Sequence, residues 1–116
     1  MKPKIPSEES EQMGFVCWFS EKYPNVLIFH INNSSSHIAT RKRLKAMGQV
    51  PGIPDLCIPE WGPCWVEMKR VKGGVVSDEQ EQMHRYLRSL GQKVIVGYGA
   101  QDASRQILEY RRRMIL

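Results

Sequence analysis

An aspartate after a Gly-Ile-Pro turn, Asp55, is separated by eleven residues from the triplet Glu67-Met68-Lys69, which lies inside the apolar run CWVEMK, residues 64–69. Charged groups within a run of strand character cost free energy unless they are paired or bind a metal. Side chains alternate faces along a strand, so Glu67 and Lys69 share a face with Cα atoms about 6.6 Å apart, and Val66 and Met68 take the other. If DLCI, residues 55–58, pairs with this run across Pro59 to Pro63, Asp55 comes within reach of Glu67. Two carboxylates held close repel each other. A hard divalent cation such as Mg²⁺ relieves that repulsion and leaves coordination positions for water and a substrate phosphate. Such an ion activates water and stabilises charge on phosphate, and a neighbouring lysine orients or deprotonates the water. These are the parts of metal-dependent phosphodiester hydrolysis. An Asp at a turn beside an exposed Glu/Lys pair fits the same spacing.

Several elements must position these groups. Ser7 is placed to cap a first helix with Glu8, Glu9 and Glu11 in its opening turns, where the helix dipole favours negative charge. Its apolar stripe is Phe15, Val16 and Phe19, with Trp18 on one flank. Projected backward at helical spacing, the stripe reaches Gln12 and Glu8. Glu8 is either a residue of that inward face or simply a first-turn acid. VLIFHI, residues 26–31, has strand length and composition. A short basic helix follows over 37–47, carrying Arg41, Lys42, Arg43 and Lys45 and stopped by Gly48. A charge run of this kind is a solvated face or a grip on phosphates. Ser77 and Gln80 fit a capping box that starts a helix with apolar positions Met83, Tyr86, Leu87 and Leu90, closed by Gly91. Gln80 lies on that face, so it serves the cap or the site, and His84 reads as an ordinary interfacial residue. KVIVGY, residues 93–98, is expected beside the Glu67 strand. A last helix over 102–114 packs Ile107, Leu108, Tyr110 and Met114 on the sheet and carries Arg111, Arg112 and Arg113, which suit the helix C-terminus or a phosphate.

The 116 residues allow a single domain, small enough that dimerisation would help it. A net charge of +5 favours a polyanionic partner, nucleic acid first. No apolar run is long enough to cross a bilayer, and no hydrophobic segment follows the N-terminal lysines, so a cytosolic protein without membrane association is expected. Cys17, Cys57 and Cys64 are odd in number and lack CxxC spacing, which argues against a disulfide framework or zinc site. All three are expected to be small buried hydrophobes.

Pro54-Asp55 followed by Glu67-Met68-Lys69 resembles the PD-(D/E)XK nuclease superfamily. The fuller series resembles its VRR-NUC branch, the virus-type replication-repair nucleases: Glu8 with Gln12, the Asn32-Asn33 pair, GIPDL, VEMKR, Gly73-Gly74, Ser77 to Gln80, and Gly91. Asn32-Asn33-Ser34 departs from the Pro-Asn-Gly often found there in the family. The resemblance implies an α/β restriction-endonuclease-like core, αβββαβ, with a mixed central sheet flanked by helices over residues 1–116. It implies Asp55, Glu67 and the Met68 carbonyl as ligands for Mg²⁺, with Mn²⁺ able to substitute. Glu8 completes the site, with Glu11 as the fallback. Lys69 is then the catalytic lysine and Gln80 an active-site residue. Asn33, Arg41, Lys42, Arg43, Lys45, Arg70 and Lys72 are the implied nucleic-acid contacts. Stand-alone members resemble Holliday-junction resolvases that act as homodimers, so the expected partner is branched DNA, four-way junctions first, and a phage or prophage suits so compact a nuclease. A flap or duplex nuclease with the same site, or a binding module without catalysis, are the competing readings.

Overall fold

The computed structural model describes residues 4–32 and 37–115. Helix α1 spans Glu8–Lys22, strand β1 Phe29–His30, α2 Ile38–Ala46, β2 Leu56–Ile58, β3 Cys64–Lys69, α3 Asp78–Ser89, β4 Lys93–Tyr98 and α4 Ala100–Ile115. The strands form one mixed sheet in the order β1-β2-β3-β4, antiparallel at the first two junctions and parallel at the last. The parallel pair needs a crossover, and α3 supplies it. Helices α2 and α4 stand in addition to the αβββαβ order.

Helix α1 starts where Ser7 accepts the Ser10 N–H at 3.1 Å. One side of the sheet is covered by α1 and α4. There Phe15 and Phe19 meet Leu56, Ile58, Cys64, Val66, Met68, Ile95, Ala103 and Ile107 in a single core closed by Trp61. Because β3 alternates, burying Val66 and Met68 on this side turns Trp65, Glu67 and Lys69 to the other, where α3 lies. Gly97 makes the α4 contact possible: a Cβ there would stand 2.6 Å from the Ala103 Cβ.

Four sequence expectations change. The 26–31 run keeps only Phe29–His30 as strand. It lies at the sheet edge opposite a three-residue β2, so Leu27 and Phe29 stay exposed while Val26 and Ile28 pack on the core. On α3, Tyr86 and Leu90 are exposed, and the buried pair is His84 and Leu87. On α4, Leu108 and Met114 are largely exposed, because the sheet takes Ala103, Ile107 and Tyr110 instead. Cys57 and Cys64 are buried as expected, whereas Cys17 is exposed, its thiol turned towards Glu21 on the outer face of α1. Among the described residues no helix is long and apolar enough to cross a membrane.

The Gly97–Ala103 approach gives a direct test of the sheet-helix packing. Gly97→Ala should force β4 and α4 apart and lower stability by about 1–3 kcal/mol, read as a lower urea midpoint with the metal-free protein. An unchanged midpoint would contradict this packing.

Candidate active site

Strand register brings the acidic residues together. Leu56 faces Val66, Cys57 faces Trp65 and Ile58 faces Cys64; one step beyond, Asp55 stands beside Glu67. Backbone pairing on this edge ends there. The Asp55 Oδ2 instead accepts the Met68 N–H at 2.7 Å, a carboxylate taking the place of the next rung. In an extended strand one residue's N–H and C=O point to the same side, so the Met68 carbonyl is directed to the Asp55 side as well. The Lys69 carbonyl turns the opposite way and accepts the Gly99 N–H at 2.9 Å.

The electrostatics of this corner are strained. Glu67 is 1 % exposed, and burial raises its pKa above the ordinary carboxylate value, with Glu8 adding to the rise and Asp55 and Lys69 opposing it. Asp55 is pushed up to about 7, first by burial and then by the Glu67 carboxylate within hydrogen-bonding reach; the Met68 N–H and Lys69 pull the other way. Among the described residues, Glu67 Oε2 is the buried side-chain polar atom without a hydrogen-bond donor. A proton on Asp55 can be shared with the Glu67 carboxyl; when Asp55 ionises, two carboxylates face each other unshielded. Glu8 stands close enough to feel both Lys69, which lowers its pKa, and Asp55, which raises it, although burial is the larger cause of its net rise. Glu11 reaches elsewhere: its Oε1 accepts the Ala100 N–H at 3.4 Å, at the start of α4.

The remaining groups come from α3. Two residues on a strand span about 6.6 Å and four on a helix about 6.0 Å, so α3, antiparallel to β3, matches it pair for pair. Lys69 Nζ donates to Gln80 Oε1 at 2.9 Å, and Glu67 Oε1 lies 3.2 Å from His84 Nε2. Gln80 Oε1 also accepts the Ser77 N–H at 2.9 Å, and Ser77 Oγ accepts the Gln80 N–H. The cap expected of Gln80 is present, and the same oxygen also meets the Lys69 ammonium. His84 has ion-pair geometry with Glu67, but burial, with Arg88 and Lys69 adding to it, holds its pKa below the ordinary value. The contact puts the His84 ring nitrogen within hydrogen-bonding distance of the Glu67 carboxyl. His84 is interfacial as expected, buried between α3 and β3, and its contact with Glu67 is the feature that sequence reasoning missed. Its signal was present in the four-residue spacing from Gln80, which puts both on one helix face.

Gly52, with φ +85°, lets the turn ahead of Asp55 lean on this helix: a Cβ there would sit 2.5 Å from the Glu79 carbonyl oxygen. Next to it opens a cleft of about 1610 Å³, lined by Glu8, Gln12, His30, Asp55 and Gln80 together with Arg41 and Lys45. His30 Nδ1 is 3.0 Å from both the Gln12 amide nitrogen and the Asp55 carbonyl oxygen. Lys42 and Arg43 are exposed on α2, and Arg70 and Lys72 are exposed after β3. Asn33 lies outside the described residues. Arg111 stacks over the Trp61 ring at 5.5 Å, a packing role for one member of the C-terminal arginine cluster.

The donor set has a definite chemical character. No group of three or more His, Cys, Asp or Glu side chains among the described residues is gathered closely enough to hold a metal by itself. Two carboxylates and a backbone carbonyl are what remain. Such an oxygen set, with one orphaned carboxylate oxygen, fits a hard divalent ion that keeps several waters rather than zinc.

The repulsion is testable without any metal. Between about pH 4 and pH 7 the folded protein holds a proton on Asp55 that the unfolded chain has lost, so stability should fall as pH rises through that window. In Asp55→Asn, the amide can accept the Met68 N–H and donate to Glu67 at every pH. In EDTA, this variant should match the wild type near pH 5 and exceed it by about 1 kcal/mol or more at pH 8, measured by urea denaturation. A variant that is less stable than the wild type at pH 8 would refute the unshielded pair.

No family profile matches the sequence, and no curated protein is detectably similar to it. Among solved structures, the chain is similar to a VRR_NUC domain protein, with 20% identity over 93% of this chain and 90% of that one and a TM-score of 0.76. Four strands in one mixed sheet, flanked by helices and superimposable over nine-tenths of both chains, give this protein the fold of a VRR-NUC domain.

Proposed function

We propose that the chain is a Mg²⁺-dependent, structure-selective DNA endonuclease, acting as a homodimer on four-way junctions in the manner of a Holliday-junction resolvase. The observation that carries the nuclease reading is the convergence of Asp55, Glu67 and Lys69 beside a cleft that Arg41 and Lys45 also line. The likeness to a VRR_NUC domain protein supports the same class. A cleft of about 1610 Å³ exceeds the usual range for small-molecule pockets and suits a polymer.

Asp55, Glu67 and the Met68 carbonyl are the proposed ligands, with Glu8 completing the site; the bound ion, Mg²⁺ or in its place Mn²⁺, would activate water and offset charge on the phosphate. The chain's own groups do the rest. Lys69, held by Gln80, orients the attacking water and balances negative charge as the water oxygen adds to phosphorus and the bridging P–O bond breaks. Arg41 and Lys45 hold the backbone across the cleft, with Lys42, Arg43, Arg70, Lys72 and Asn33 as further phosphate contacts. Backbone geometry and DNA shape are the proposed basis on which this domain selects its substrate. A four-way junction calls for two cuts, and a two-fold dimer offers two equivalent sites.

The test is cleavage of a labelled four-way junction, a 5′ flap and a linear duplex with Mg²⁺ or EDTA. Paired, Mg²⁺-dependent nicks confined to the junction are expected, with Asp55→Ala and Lys69→Ala at least about 10²-fold slower yet binding the junction as the wild type does. Cutting of flap or duplex instead would discard the resolvase and keep the nuclease. Tight binding without cutting by the wild type would discard the nuclease.

Phosphate contact by α2 has its own signature. Arg41→Ala combined with Lys45→Ala should weaken junction binding and lower the slope of log affinity against log salt by about 2, or about 0.9 per contact, leaving the rate at saturating DNA unchanged. An unaltered slope would remove α2 from the interface.

A further inference from the structure

Glu67 needs its orientation fixed. A buried carboxylate offers two equivalent oxygens, and an ion can use either unless something distinguishes them. In this protein one is distinguished: Oε1 lies 3.2 Å from His84 Nε2, and Oε2 has no donor. The imidazole is 2 % exposed, so solvent does not compete for its hydrogen bond. It is carried by the same helix face that holds Lys69 through Gln80, so one rigid element aligns both residues of β3. We propose that His84 is a positioning residue whose Nε2–H ties down Glu67 Oε1 and thereby dedicates Oε2 to the divalent ion. This rests on the reading of Glu67 as a metal ligand.

Metal affinity in the absence of DNA tests this apart from catalysis. Mn²⁺ binding by calorimetry would be compared among the wild type, His84→Leu, His84→Gln and Glu67→Gln, each with a thermal melt. His84→Leu should bind Mn²⁺ about 10-fold more weakly or worse. His84→Gln, whose amide N–H can reach the same oxygen, should recover most of the loss. Wild-type affinity in His84→Leu would overturn the proposal, as would a His84→Gln variant that melts normally yet binds no better than His84→Leu. If His84→Leu does not fold, the comparison of His84→Gln with the wild type decides: strongly weakened binding in a folded protein counts against the role. Failure of the underlying reading looks different, since the wild type would then bind Mn²⁺ no better than Glu67→Gln, and the role of His84 would fall with it.

Discussion

The hydrogen bond from the Met68 N–H to the Asp55 carboxylate is the contact around which the rest is arranged. It ends the β2–β3 ladder with a side chain where a backbone would otherwise continue. Two results follow from that exchange. The strand edge gains a charged group that can bind something other than protein, and the Met68 carbonyl is released from strand pairing. The cost is the burial of Asp55 and Glu67 side by side: burial raises both carboxyl groups above their ordinary pKa values, and the Glu67 carboxylate raises Asp55 further. Strain of this kind persists only where surrounding structure enforces it.

The enforcement is visible on both sides of β3. Val66 and Met68 are locked into the core beneath α1 and α4, so the strand cannot rotate to relieve its carboxylates. On the opposite side α3 repeats the spacing of Glu67 and Lys69 with His84 and Gln80, holding one atom of each. Gly52 closes the frame by bringing the Asp55 turn against the first turn of α3 without a side chain between them.

Much of this was legible in the residues. Alternation along CWVEMK placed Glu67 and Lys69 on one face, the short Pro59–Pro63 link implied the antiparallel pairing, and Ser77 with Gln80 marked the start of α3. The illegible parts were those decided by partners distant in sequence. VLIFHI has the composition of a six-residue strand, yet its length is set by β2, which offers three residues to pair with. Tyr86 and Leu90 follow helical periodicity, but α3 rests on a surface carrying a carboxylate and an ammonium, so its buried line is polar at Gln80 and His84. Glu8 and Glu11 look alike in the first turns of α1. Three residues of helix rotate them apart, one towards Lys69 and Asp55 and the other to the α4 N-terminus.

Gln80 shows what such economy of parts entails. A single carbonyl oxygen receives both the Ser77 amide that begins α3 and the Lys69 ammonium. Helix initiation and the placement of the Lys69 ammonium are thus not separately adjustable. Any drift at position 80 alters both at once, which narrows the mutational routes by which a descendant of this sequence could keep the start of α3 while releasing Lys69.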